Sequence, residues 1–205
     1  MPLASRQGVD RRITRSRQAL RTALIDLMEE KGYDSISVND LCVYADLNRG
    51  TFYNHFHDKE DLLTTFENEV IDDLDDIKDQ LKDLSVLEFV RARLKQEPYP
   101  LLVELFDRLR NQGDFLHAVM GPGGDARFSV RLRDYVCRDF IYSLLHKRYQ
   151  EHPTPFVEYY ISFYANAYLG VITHWIDTDM KESSEEMALI AMRLFFIKPG
   201  EPITL

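Results

Sequence analysis

Arg49, Gly50, Thr51, Tyr53, Asn54 and His55 stand within one stretch of seven residues, and their types share a chemistry. Asn and Thr offer the donors, acceptors and, in Thr, the methyl group that read base edges in a groove. Arg, Tyr and His donate to phosphate oxygens, and Gly50 removes a side chain where a backbone has to come close. Lys59 adds an ammonium near the backbone amides that open the next helix, a combination suited to phosphate. Other chemistries lack their residues. There is no GxSxG, HExxH or GxGxxG pattern. His55 and His57 have no third ligand at a supporting spacing. The Gly121–Gly124 run lacks the Lys-Ser/Thr ending of a phosphate loop and reads as a flexible connection. The acidic run Asp72–Asp83 has no calcium-loop glycine and reads as a solvated helix face. No enzyme activity, metal or cofactor is expected.

The polar set needs a support, and the surrounding spacing supplies one. Phe52 and Phe56, four apart, fall on the opposite helix face and can pack on Val38, Leu41 and Ala45 of a short helix before them. Ser37 with Asp40 is placed as a capping box for that first helix, Asn48 as the cap of the second, and Asp58 with Asp61 as the cap of a third. Two short helices joined by Asp46, Leu47 and Asn48 have the spacing of a helix-turn-helix, whose second helix fits a major groove about 12 Å wide. Upstream, residues 1–10 read as a mobile arm, followed by a helix with Leu20, Leu24, Leu27 and Met28 on one face and Gly32 at its end. Downstream, Leu62, Phe66, Val70, Leu74, Ile77, Leu81 and Leu84 predict one long helix with an acidic outer face. Further helices are expected over Arg127 to about Gln150, Pro155 to about Asp179 and Ser183 to Phe196.

The chain has 205 residues, 45% hydrophobic and 29% charged, which suits a globular protein with a sizeable core. No run reaches the roughly 18 apolar residues of a membrane span, so no membrane partner and a cytoplasmic location are expected. Cys42 and Cys137 have no CxxC partner and read as buried apolar residues. The net charge of -9 opposes a polyanionic partner until its distribution is considered. Residues 1–25 hold six arginines against Asp10 alone, and residues 58–88 hold three lysines against twelve acids. One end of the sequence can therefore meet a polyanion. The fold class is all-α: a helix-turn-helix domain of three helices with a basic arm over residues 1–57, and a larger helical dimerisation and ligand domain over residues 58–205.

The stretch from Ala45 to Leu63, ADLNRGTFYNHFHDKEDLL, resembles the signature of the TetR (tetracycline repressor) family, and the likeness extends over residues 12–63. The resemblance implies a DNA-binding regulator in which Thr51, Tyr53, His55 and Lys59 touch DNA and the arm contributes Arg11, Arg12 and Arg15. The full candidate set adds Ser37, Asn48, Arg49, Gly50 and Asn54. Asp46 departs from the family's usual Gly in the turn and must accept a left-handed backbone. Residues 155–196 are loosely similar, through Phe163, Gly170 and Trp175, to regulators of the dihydroxyacetone-kinase type.

Two further expectations concern the second half. The segment from Phe156 to Trp175 is apolar almost all round, so one side is assigned to a dimer seam with Phe163, Ala167 and Gly170, joined by Phe140 and Leu144. Phe106, His117, Tyr160, Tyr164, Tyr168, His174 and Trp175 are the candidates for a pocket holding an apolar or aromatic effector, core packing being the other reading of the aromatic stripe. The partners expected are double-stranded DNA, a second copy of the chain and such an effector. The alternatives are a helical interaction protein that keeps the helix-turn-helix as scaffold, and an enzyme using His117 and His174.

Overall fold

A computed structural model of the chain describes residues 3–145, 149, 151–152 and 154–196, the side chains of 3–11, 82 and 196 excepted. The side chain of Arg11 and residue Gln150 therefore lie outside the described residues, and the helix expected from Arg127 to about Gln150 instead ends at Ser143. Every regular element among the described residues is helical. The chain divides into two compact units, one of Met1–Val70 with Asp114–Phe128 and one of Ile71–Gly113 with Ser129–Leu205. The first unit thus runs beyond residue 57 and includes the later segment Asp114–Phe128.

In the first unit, α1 spans Leu3–Lys31. The arm expected over residues 1–10 is helical from Leu3, in keeping with Leu3, Ala4, Arg6 and Gln7, which are good helix formers. After Gly32 (φ 75°) and a 3-10 turn at Tyr33–Ser35 come α2 (Val38–Tyr44), α3 (Arg49–Tyr53) and α4 (Lys59–Asp72). Leu20, Leu24, Leu41, Phe52 and Leu62 are fully buried, and a run of rings from Phe56 through Phe66 and Phe115 to Phe128 continues the core at centroid spacings of 5.9, 6.4 and 6.3 Å. Phe115 lies on α8 (Gly113–Met120).

The Gly121–Gly124 run, expected to be a flexible connection, is a packed turn. Tyr33 N–H donates to the Gly123 carbonyl at 2.7 Å. A Cβ on Gly123 would lie 2.7 Å from the Met28 carbonyl oxygen, and one on Gly124 would lie 2.0 Å from that of Val119. Glycine is required there for close backbone approach.

The second unit contains α5 (Asp75–Lys82), α6 (Val86–Lys95) and α7 (Pro100–Asn111), then α9 (Ala126–Leu132, from Ser129 onward) and α10 (Arg138–Ser143). It ends with α11 (Pro155–Asp177) and α12 (Ser184–Phe196). The single helix expected over residues 62–84 is broken between α4 and α5. Asp72 and Asp73 sit at a helix C-terminus, where negative charge is unfavourable, and Asp75 and Asp76 open the next helix, where it is favourable. Arg108 secures the break by donating to the Asp73 carbonyl and pairing with Asp76 and Glu104. The apolar seam nonetheless stays buried from Leu62 to Leu81. A π-helical turn, Arg133–Cys137, separates α9 from α10. Aromatic rings dominate this unit's core: Phe106 meets Trp175 edge-on at 5.4 Å, and Phe140 meets Phe89 at 6.0 Å and Tyr168 at 5.5 Å.

Candidate nucleic-acid interface

The two short helices are built by their caps. Ser37 Oγ accepts from the Asp40 amide at 3.2 Å, and the Asp40 carboxylate accepts from the Ser37 amide at 2.8 Å and its hydroxyl at 2.7 Å. The Ser37 hydroxyl, followed by Lys31, holds the Asp40 carboxyl below its ordinary value, at about 2. Asn48 Oδ1 accepts from the Thr51 amide at 2.7 Å and from the Thr51 hydroxyl at 3.1 Å. Asp58 Oδ1 accepts from the Asp61 amide at 2.8 Å. All three expected caps are present.

Between α2 and α3 the chain turns through a Schellman motif. Leu47 N–H donates to Cys42 O at 2.9 Å and Asp46 N–H to Val43 O at 3.3 Å, with Asp46 in the left-handed region at φ 52°. The turn has the geometry that a glycine would adopt more easily, as the sequence implied.

Phe52 and Phe56 are buried, their rings 5.9 Å apart, and this fixes which face of α3 looks out. Arg49, Gly50, Tyr53 and Asn54 are exposed, and Thr51 and His55 are partly so. Tyr53 remains 55% exposed with its ring edge-on to Phe52 at 5.4 Å, so its body is held while its hydroxyl is presented. Because the Thr51 hydroxyl proton is committed to Asn48, Thr51 offers outward its methyl and an accepting oxygen. Asn48 likewise keeps its amide NH2 for donation.

The arginines of α1 divide by face. Arg12 and Arg15 are exposed. Arg17 pairs with Glu69 and lies over the rings of Phe56 and Phe66, and Arg21 lies 4.9 Å from the Phe115 centroid and 3.7 Å from Glu69. Arg17 and Arg21 therefore serve the first unit's core, while Arg12 and Arg15 remain available.

Lys59 is more engaged than its sequence position suggested. Its ammonium donates to the carbonyls of Tyr33 at 3.1 Å and Asp34 at 3.2 Å and lies 4.6 Å from the Tyr33 centroid. The Tyr33 hydroxyl donates to Glu60, which also receives Arg127, and these bonds hold the Glu60 carboxyl below its ordinary value.

Sequence reasoning missed Val43 and Tyr44, which stand on α2 at 73% and 50% exposure. Tyr44 donates to Asp26 at 2.8 Å, and with Arg15, Gln18 and Thr22 it lines a groove of about 710 Å³ beside α1. The only sequence signal was negative: neither residue is needed by the apolar face of Leu41 and Cys42.

The candidates in the second half are dispersed. Phe106, Tyr168 and Trp175 are buried core, with the Tyr168 hydroxyl bonded to Ala191 O at 2.6 Å and the Trp175 indole to Glu182 O at 3.0 Å. His117 belongs to the first unit, where it pairs with Glu29 at 2.9 Å, and His174 is exposed on α11. Tyr160 and Tyr164 are half-buried, their rings tilted against each other with centroids 4.6 Å apart. Of the expected seam, Phe140 is corrected: it packs between Phe89 and Tyr168 inside its own unit, because its face of α10 turns to α11. Leu144 is half-buried. Phe163, Ala167 and Gly170 are exposed, in line along α11 with Phe156 and Tyr159.

Residues 20–65 match the sequence profile described as "Bacterial regulatory proteins, tetR family", and residues 96–196 match the one described as "Transcriptional regulator C-terminal region". Over 58 residues the chain is 41% identical to the HTH-type transcriptional regulator YxbF of Bacillus subtilis. Over 65 residues it is 37% identical to DhaS of Lactococcus lactis, the HTH-type transcriptional activator of the dhaKLM operon. These matches cover 28% and 31% of this chain and only 15% and 35% of the two relatives. In structure the chain is similar to a TetR transcriptional regulator from Streptococcus agalactiae, with a TM-score of 0.57 at 21% identity, covering 92% of this chain and 97% of that one. The solved DhaS structure shares the fold at a TM-score of 0.51 and 19% identity over 87% and 93% of the two chains. With a capped helix-turn-helix in its first unit and both profiles matched in order, the chain belongs to the TetR family of bacterial transcriptional regulators.

Proposed function

We propose that the protein binds double-stranded DNA as a homodimer through α3, at a roughly palindromic site. The observation that carries this reading is the outer face of α3, where Arg49, Tyr53 and Asn54 are exposed above a helix locked by Phe52 and Phe56. In this reading Thr51 and Asn54 choose sequence. Tyr53, His55 and Arg49 position phosphate, with Arg12 and Arg15 adding contacts from α1 and Ser37 and Asn48 from the helix starts. Lys59 has three donors, so a phosphate can be its third partner beside the two carbonyls it already holds. An apolar or aromatic effector acting through the second unit is the form of control this reading favours, and a non-catalytic regulator of the cytoplasm is the role it assigns.

The test is to select bound duplexes from genomic fragments with the purified protein and measure affinity against salt. Lys59→Ala should weaken all sequences alike and reduce the salt slope by about one unit, whereas Thr51→Ala should change base preference by about 1–3 kcal/mol. Binding insensitive to salt and indifferent to Arg49 and Lys59 would leave the helix-turn-helix as a scaffold.

A further inference from the structure

In the second unit, the end of α6 and one face of α12 enclose a cleft of about 690 Å³, a size typical of small-molecule sites. It is not lined by the aromatic residues considered above. From α12 and the turn before it come Glu182, Glu186, Leu189, Ile190 and Arg193, and from α6 come Arg93 and Gln96. The spacing along α12 is ordered. Positions 186, 189, 190 and 193 share one helix face, so the cleft runs from a carboxylate across two aliphatic side chains to a guanidinium. Seven residues separate Glu186 from Arg193, about 10 Å along the axis.

Two features mark this as a prepared site rather than a solvated surface. The Nε of Arg93 is buried and has no hydrogen-bond partner, a costly state for a charged donor inside a protein. The backbone at the acidic end is held: the main-chain carbonyl of Glu182 accepts from the Trp175 indole at 3.0 Å and from Arg110. Glu186 forms a reciprocal cap with Ser183, its carboxylate accepting from the Ser183 amide at 2.7 Å.

We propose that this cleft binds a small bifunctional molecule, an organic anion whose carboxylate meets Arg93 and Arg193, whose aliphatic middle lies on Leu189 and Ile190, and whose amine or hydroxyl meets Glu186 or Glu182. The assignment goes beyond the DNA reading and does not depend on it. The opposed charges select against molecules carrying only one of the two end groups. Molecules of about 10 Å between the end groups match the helix spacing.

Isothermal titration of the full chain with 8-aminooctanoate, octanoate and octylamine tests the proposal without DNA. Saturable binding of 8-aminooctanoate, one per chain and about tenfold or more tighter than either single-ended probe, is the expected result. Arg93→Gln should weaken 8-aminooctanoate and octanoate about tenfold and leave octylamine unchanged. Ile190→Trp, which fills the cleft without altering its charges, should abolish binding of all three and keeps the test decisive if Arg93→Gln does not fold. No saturable binding at millimolar probe, or binding of 8-aminooctanoate unchanged in Ile190→Trp, would overturn the site.

Discussion

Asp46 occupies a left-handed conformation at φ 52°, at the position that lets α2 end and α3 begin with the right separation. An L-residue meets its own carbonyl oxygen there at a cost of about 1–2 kcal/mol, less for Asp than for most, while glycine meets no such contact. Glycine also loses more backbone freedom on folding, by roughly 0.4–1 kcal/mol. The steric gain should win by a small margin. Asp46→Gly is therefore expected to stabilise by about 0.5 kcal/mol and raise the melting temperature by about 1–2 °C, and Asp46→Ala to lower it, both read by circular dichroism. A glycine variant that melts below the parent chain would show that Asp46 contributes something beyond filling the turn. The chemistry at residue scale was legible where side-chain type decides it: the caps at Ser37, Asn48 and Asp58 and the burial of Phe52 and Phe56 follow from local pattern. Arg17 and Lys59 were not legible in this way. Their partners, Glu69 and the carbonyls of Tyr33 and Asp34, are distant in sequence, and only the fold brings them together.

At the scale of elements, the helices that carry the site were read from capping and periodicity, and the breaks were not. The acidic residues around Asp73 split a seam whose apolar spacing is continuous, because period reports burial while charge at a helix end and the reach of Arg108 decide where the hydrogen bonding stops. The glycine run at 121–124 misled in the opposite sense, since glycine marks both free chain and close backbone approach. The capping box of α2 offers a quantitative check. Asp40 has a carboxyl held at about 2 in the folded chain, below the ordinary 3.8, chiefly by the Ser37 hydroxyl and then by Lys31. A depressed carboxyl stabilises the fold when ionised, so its contribution is complete above about pH 4 and is lost as the pH falls through about 2. Comparing the parent chain with Asp40→Asn by thermal melting at a series of pH values should show the parent more stable near neutrality. The difference should close on acidification across that interval. A difference that stays constant from neutral to acid pH would mean that the carboxylate's charge plays no part in the cap.

For the whole molecule, the remaining question is what covers α11. Phe156, Tyr159 and Phe163 are 73%, 77% and 68% exposed, an aromatic stripe that continues past Ala167 to Gly170. Isolated exposed aromatics are ordinary, but a contiguous stripe along one long helix marks an association surface. Its other face is committed to the second unit through Ile161, Tyr168, Ile172 and Trp175. The small residues at 167 and 170 allow a second helix to come close, and a two-fold axis through the stripe would give the dimer the symmetry that a palindromic site requires. Gly170 is the place to test this, because it is exposed and a Cβ added there meets nothing within 4 Å in the single chain. Gly170→Arg would bury an unpaired charge in the seam, disfavouring association by about 3 kcal/mol, or about two decades in Kd. Light scattering at micromolar protein should then give the single-chain mass of 24.1 kDa for the variant and twice that for the parent. Affinity for a palindromic duplex should fall with it while the helical circular dichroism stays unchanged. A Gly170→Arg protein that remains dimeric and binds such DNA normally would move the interface away from α11.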